Sequence, residues 1–185
     1  HYPGYTSPMF NLGRMLYENG EPQKAARILK GLSGLEFPDD FTRLWMGWLG
    51  DVMSEQNQKE TAIEFYEKAI SVNPGDSLTL LNLAITLGST GRVGKAVRFY
   101  EAYLKLQPGN WEARFNLARL HERSGEHSKA IAAYKHILLQ NPVFAGAHFN
   151  LGIQYFKRGQ FQTATESFEK AVEFAPTYFD AYLAL

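Results

Sequence analysis

The sequence predicts an all-α fold: an α-solenoid of antiparallel helical hairpins, about five repeats followed by the first helix of a sixth. Three observations predict it. Ala62, Ala96, Ala130 and Ala164 stand 34 residues apart, as do Pro74, Pro108, Pro142 and Pro176, and Gly91, Gly125 and Gly159. A fixed period in the range of about 20 to 50 residues marks stacked supersecondary units. Within each period, two stretches of roughly 13 residues carry apolar side chains at helical spacing, as in Leu80, Leu83, Ala84 and Leu87, then Ala96, Phe99, Tyr100 and Tyr103. Glycine follows the first helix and proline the second, the order expected of a reversal and then a stop.

Taken along the chain, residues 6–42 form the first repeat through Leu12-Gly13, Gly20, Ala25 and Leu29. Pro22 suits the first turn of its second helix, where no N–H donor is needed. Repeats at 43–76, 77–110, 111–144 and 145–178 follow, and 179–185 opens a sixth, all within one domain of 1–185. Ala25 to Ala62 is 37 residues, so three extra residues lie between Gly31 and Asp40. Gly31, Ser33, Gly34 and Pro38 predict a loosened connection there, with a bend between the first two repeats. The turn glycines need a left-handed backbone, which Asn57 tolerates in the second repeat. The alanine ladder sits early in each second helix, where a small side chain lets helix axes approach to about 8 Å. Asn110 is placed to cap the helix that begins at Trp111.

These features resemble the tetratricopeptide repeat family, with its 34-residue period and its order of Leu-Gly or Leu-Ala pair, turn glycine, alanine, aromatic and proline. Leu83-Ala84, Gly91, Ala96, Tyr100 and Pro108 fill the pattern, as do Leu151-Gly152, Tyr155, Gly159, Ala164, Phe168, Ala171 and Pro176. The resemblance covers nearly the whole chain. It implies a right-handed superhelix whose first helices line a concave groove.

Composition narrows the function. The 45% hydrophobic and 14% aromatic content is enough for a core and argues against disorder. Nineteen basic and nineteen acidic residues leave no excess charge to hold nucleic acid or an anionic membrane. No cysteine is present, which suits a reducing cytoplasm, the slightly favoured compartment, or a bacterial periplasm. No apolar run approaches the roughly 20 residues that span a bilayer, so a soluble chain is expected. It opens at His1 and stops at Leu185 within an apolar pattern, as a piece of a longer protein would.

On the implied groove, the residue before the Leu-Gly or Leu-Ala pair is Asn11, Asn82, Asn116 and Asn150, with Trp48 in the second repeat. A carboxamide both donates and accepts, as a peptide main chain requires. Helices about 8 to 10 Å apart match the roughly 10 Å spanned by three extended residues, so successive asparagines would meet every third peptide unit. The row is similar to the asparagine ladder in the tetratricopeptide superhelix of O-linked N-acetylglucosamine transferases, which clasps peptide substrates. The transferase domain itself is not in this sequence. The same placement also suits an asparagine bonded to an adjacent helix or to water.

Beside the row stand Arg14, Asp51, Ile85, Arg119 and Ile153, and just before it Phe10, Gly47, Leu81, Phe115 and Phe149. With Phe156 they predict an apolar wall facing solvent, which usually marks a binding site; burial against neighbouring helices is the alternative. Asn116, Arg119 and Arg123 share one helix face, with Lys157 expected nearby on the next repeat. The set suits an acidic side chain or a terminal carboxylate, or else a solvated face balanced by Glu122 and Glu126. Trp48, Leu78 and Asn82 stand where the two-carboxylate clamp of chaperone-binding relatives requires other residues, so that partner is not expected.

Catalysis finds no support. Gly91-Arg92-Val93-Gly94-Lys95 lacks both the leading glycine and the trailing Ser or Thr of a phosphate loop. His121, His127, His136 and His148 have no carboxylate at ligand spacing, so no metal, cofactor or catalytic residue is predicted. The favoured reading is a scaffold whose groove holds an extended segment of a protein partner. Self-association through bare repeat ends, at Tyr178, Phe179 and Tyr182, or through the convex face is a second reading. The substrate-selecting arm of a larger enzyme, such as a glycosyltransferase, is a third.

Overall fold

The computed structural model describes residues 8–36, 39–177 and 179–184. All regular structure among them is helical. The chain divides into two compact units, 1–99 and 100–185.

In the first unit, α1 (Pro8–Glu18) and α2 (Pro22–Lys30) form the opening hairpin, with Pro22 in the first turn as expected. Gly20 makes the reversal at φ 76°. Then come α3 (Asp39–Glu55) and α4 (Lys59–Val72), joined through Asn57 at φ 58°, and α5 (Ser77–Ser89). The Asp76 carboxylate caps α5 by accepting from the Leu78 and Thr79 amides. Such a cap satisfies N–H groups that have no partner inside the helix. The longer connection after α2 is tethered rather than loose over its described part. Leu32 is buried, and Lys68 on α4 donates to the carbonyls of Ser33 and Leu35. Residues 37 and 38, within the expected bend, lie outside the described residues.

Helix α6 (Val93–Leu106) runs through the boundary between the units. The second unit continues with α7 (Trp111–Arg123), α8 (His127–Gln140), α9 (Ala145–Lys157), α10 (Phe161–Phe174) and the short α11 (Phe179–Leu183). Asn110 caps α7 as predicted, its Oδ1 accepting from the Ala113 amide at 2.7 Å, while its amide group donates to the Tyr103 hydroxyl at 2.8 Å. Gly125 and Gly159 turn the two complete hairpins at φ 73° and 72°. Ala118, Ala130, Tyr134, Ile137, Ala147 and Leu151 form a continuous core across α7, α8 and α9. On α11, Ala181 packs inward, whereas Phe179 and Leu183 are 76% and 78% exposed; Tyr178 lies outside the described residues. Among the described residues, no helix is long and apolar enough to cross a membrane.

Within a hairpin, the helices meet where one contributes almost no side chain. Gly50 lies against the Tyr66 ring and Gly152 against the Phe168 ring; a Cβ atom would stand 2.4 Å and 2.6 Å from those rings. In a helix interior, Gly→Ala normally stabilises by about 1 kcal/mol. Overpacking a close contact costs about 1 to 3 kcal/mol, so here the contact wins. Gly152→Ala should therefore lower the urea unfolding midpoint. Gly94→Ala, on α6 with nothing within 4 Å of its new Cβ, should raise it.

Candidate functional site

In the first unit, the inner face of the leading helices is built around Asp51. Its Oδ1 accepts from the Tyr66 hydroxyl of α4 and from the Asn82 amide of α5, both at 2.8 Å. One carboxylate oxygen thus ties three helices. Burial, then the bond to Asp51, push the Tyr66 hydroxyl well above the usual phenol range. Four residues on, Glu55 accepts from the Tyr17 hydroxyl at 2.7 Å. Asp51, Ser54, Glu55, Tyr66, Asn82 and Ile85 surround a cavity of about 280 Å³. Trp48, the exception in the asparagine row, belongs to an aromatic cluster joining α1 and α3. Its ring lies 6.0 Å from Phe10, 5.9 Å from Tyr17 and 6.2 Å from Trp45, each nearly edge-on.

In the second unit, Asn116 stands beside the Tyr100 hydroxyl, whose pKa burial pushes up to about 12. The same placement recurs one repeat later. Tyr134 is fully buried, and Asn150 and Glu122 flank its hydroxyl, yet neither meets it with hydrogen-bond geometry. Glu122 is half-buried and accepts from Gln154 Nε2 at 2.7 Å. Gln154 is itself buried, and its Oε1 is 2.9 Å from His127 Nδ1, which must donate. Burial pushes the Glu122 carboxyl up; the charges of Lys157 and Arg119 pull the other way. The charges of both cations therefore bear on one carboxylate.

All four asparagines, Asn11, Asn82, Asn116 and Asn150, are half-buried. Arg119, Arg123 and Lys157 are exposed, and Ile153 is half-buried. The solvent-facing apolar wall is present only in part. Phe10 is buried. Phe115 is half-buried, its ring edge-on to Tyr134 at 5.6 Å and to Phe144 at 5.0 Å, and Phe149 is half-buried at 5.7 Å from Phe168. Those rings fill seams between neighbouring helices. Phe156, 57% exposed, does face solvent, beside Phe161 at 5.3 Å. The sequence reading missed Glu55, Tyr66 and the bonds that hold Asp51. The signal was there, since Tyr66, Tyr100 and Tyr134 stand 34 apart.

Three family models, each described as tetratricopeptide repeat, match residues 46–76, 81–138 and 145–178. These stretches, which take in the second to fifth hairpins, are tetratricopeptide repeats. No curated protein matches the chain by sequence. Among solved structures, the chain is similar to a MamA protein at 26% identity, covering 78% of this chain and 79% of that one with a TM-score of 0.74. It is also similar to YrrB, described as a TPR protein with an unusual peptide-binding site, at 20% identity, 97% and 91% coverage and a TM-score of 0.80. A third is MamA, residues 41 to the end, from Desulfovibrio magneticus RS-1, at 19% identity, 92% and 94% coverage and a TM-score of 0.73. At the identities of the last two, the likeness shows the fold alone.

Two expectations follow. A hydrogen bond to a charged acceptor contributes about 1.5 to 3 kcal/mol, so Tyr66→Phe should cost that order in urea unfolding. Tyr134→Phe, which removes a hydroxyl without a bond, should fall within about 0.5 kcal/mol of the parent or exceed it. The second concerns pH. Because the folded Glu122 has a raised pKa, its contribution to stability is present below the usual carboxylate range and is lost as pH rises through the folded value. The stability advantage of Glu122→Gln over the parent should therefore grow from pH 4 to pH 7, read as the difference between unfolding midpoints.

Proposed function

We propose that this chain is a protein-interaction scaffold in which the inner faces of the first helices hold an extended segment of a partner and the asparagine row reads its main chain. One observation carries the reading. The amide group of Asn82 donates to Asp51, so this carboxamide is pinned from the protein side at a half-buried position. A pinned carboxamide presents its oxygen to a peptide N–H with little rotamer freedom left to lose, which favours binding.

The row's similarity to the asparagine ladder of O-linked N-acetylglucosamine transferases points the same way, as does the peptide-binding site stated for YrrB. Phe156, Ile153, Phe115 and Phe149 supply apolar area beside the row in the second unit, and Arg119, Arg123 and Lys157 supply charge. The scaffold performs no chemistry of its own in this reading.

Selection of extended peptides on the immobilised chain, followed by fluorescence anisotropy of a selected peptide, tests it. Replacing Asn82, Asn116 and Asn150 together by Ala removes up to three hydrogen bonds of about 0.5 to 1.5 kcal/mol each, so affinity should fall tenfold or more while the helical circular dichroism is unchanged. Methylating the peptide's backbone nitrogens should weaken binding as well, whatever its side chains. An unaltered affinity in the triple variant would retire the reading.

A further inference from the structure

A net charge of zero conceals a polarity along the asparagine row. Seven residues beyond each row position stand, in chain order, Glu18, Glu55, Ser89, Arg123 and Lys157; three residues beyond stand Arg14, Asp51, Ile85, Arg119 and Ile153. Positions three, four and seven apart share one helix face. In the first unit, these two rows hold three carboxylates against one guanidinium, and that one, Arg14, is paired with Glu18 at 3.4 Å. In the second unit, they hold Arg119, Arg123 and Lys157 and no carboxylate; Glu122 lies alongside, half-buried and tied to Gln154.

The acidic side is a formed cavity. Asp51 Oδ1 is engaged by Tyr66 and Asn82, and Glu55 Oε2 by Tyr17, which fixes both carboxylates without engaging the second oxygen of either through those bonds. Ile85, 46% exposed, lines the same cavity of about 280 Å³. An apolar wall beside two oriented carboxylates fits the aliphatic stem and cationic head of lysine or arginine. In the second unit, Arg119 on α7 and Lys157 on α9 are exposed at positions of these two rows, and such cations suit a carboxylate.

We infer that the two inner faces select opposite charges in the partner: a lysine or arginine side chain enters the cavity of Asp51 and Glu55, and an aspartate or glutamate side chain docks on Arg119 and Lys157. The inference rests on the proposal that these faces hold a partner segment. Like charges are rejected at each face, so the charges a partner carries become a specificity determinant.

A random peptide library selected on the full chain, with the recovered sequences read in bulk, tests it. Both basic and acidic residues should be enriched over the input. In Asp51→Asn with Glu55→Gln, the basic enrichment should disappear and the acidic one persist; in Arg119→Gln with Lys157→Gln, the reverse. Each replacement at Asp51 and Glu55 keeps an oxygen for its tyrosine, and unfolding midpoints verify that both double variants fold. For one recovered peptide of each kind, the matching double variant should weaken binding roughly tenfold and the other less than about twofold, with the parent's affinity falling as salt is raised. Loss of both enrichments in either double variant, or of neither, overturns the charge selection. If neutral peptides bind and depend on Asn82, Asn116 and Asn150 while the charge variants change nothing, the scaffold reading stands and this inference falls. Recovery of no peptide at all overturns both.

Discussion

Each hairpin depends on a bulky side chain of its second helix lying over a glycine or alanine of its first. Leu29 covers Gly13, Tyr66 covers Gly50 and Phe168 covers Gly152, while Tyr134 packs in one core with Ala118. The close approach fixes more than packing, because the covering side chain has a tip, and the tip reaches toward the row position of the next hairpin. Where the tip is a hydroxyl, that row position is an asparagine: Tyr66 precedes Asn82, Tyr100 precedes Asn116 and Tyr134 precedes Asn150. Where the covering residue has no hydroxyl, the row changes: Leu29 precedes Trp48, and Phe168 precedes Ala184. A buried phenol needs a polar neighbour: Tyr66 finds it in Asp51, to which Asn82 also donates, and Asn116 and Asn150 stand beside Tyr100 and Tyr134. The row is thus rooted in the core even where its outer side is open.

The pairing is not uniform, and the differences fall where the first helices change chemistry. At Tyr66 the hydroxyl goes to Asp51, and Asn82 joins on the same oxygen. At Tyr134 the hydroxyl is left between Glu122 and Asn150 without a bond, while Glu122 turns to Gln154. This half-buried carboxylate, which keeps an acceptor role and feels two cations, has its pKa raised by burial against the pull of those charges.

Turn and stop chemistry is local, so the hairpins were legible in the chain itself. A left-handed backbone at Gly91, Gly125, Gly159 and even Asn57 follows from residue type, as does the cap at Asn110. The short α11 also follows from the amphipathic pattern of 179–185. Each of these depends on residues within a few positions of one another.

Which inner-face side chains meet was decided only by tertiary structure. Asp51, Tyr66 and Asn82 come from three helices, and Glu122, His127 and Gln154 from three others. Periodicity places such residues on a face but carries no information about the last few ångströms. Those few ångströms separate a hydroxyl with a partner from one without, and a phenylalanine in a seam from one in solvent. The row of asparagines, the period and the hairpin order were determined by the sequence, because they depend on spacing. The bonds that hold Asp51 and Glu55 and the half-buried rings of Phe115 and Phe149 were not, because contact and burial are properties of what packs alongside.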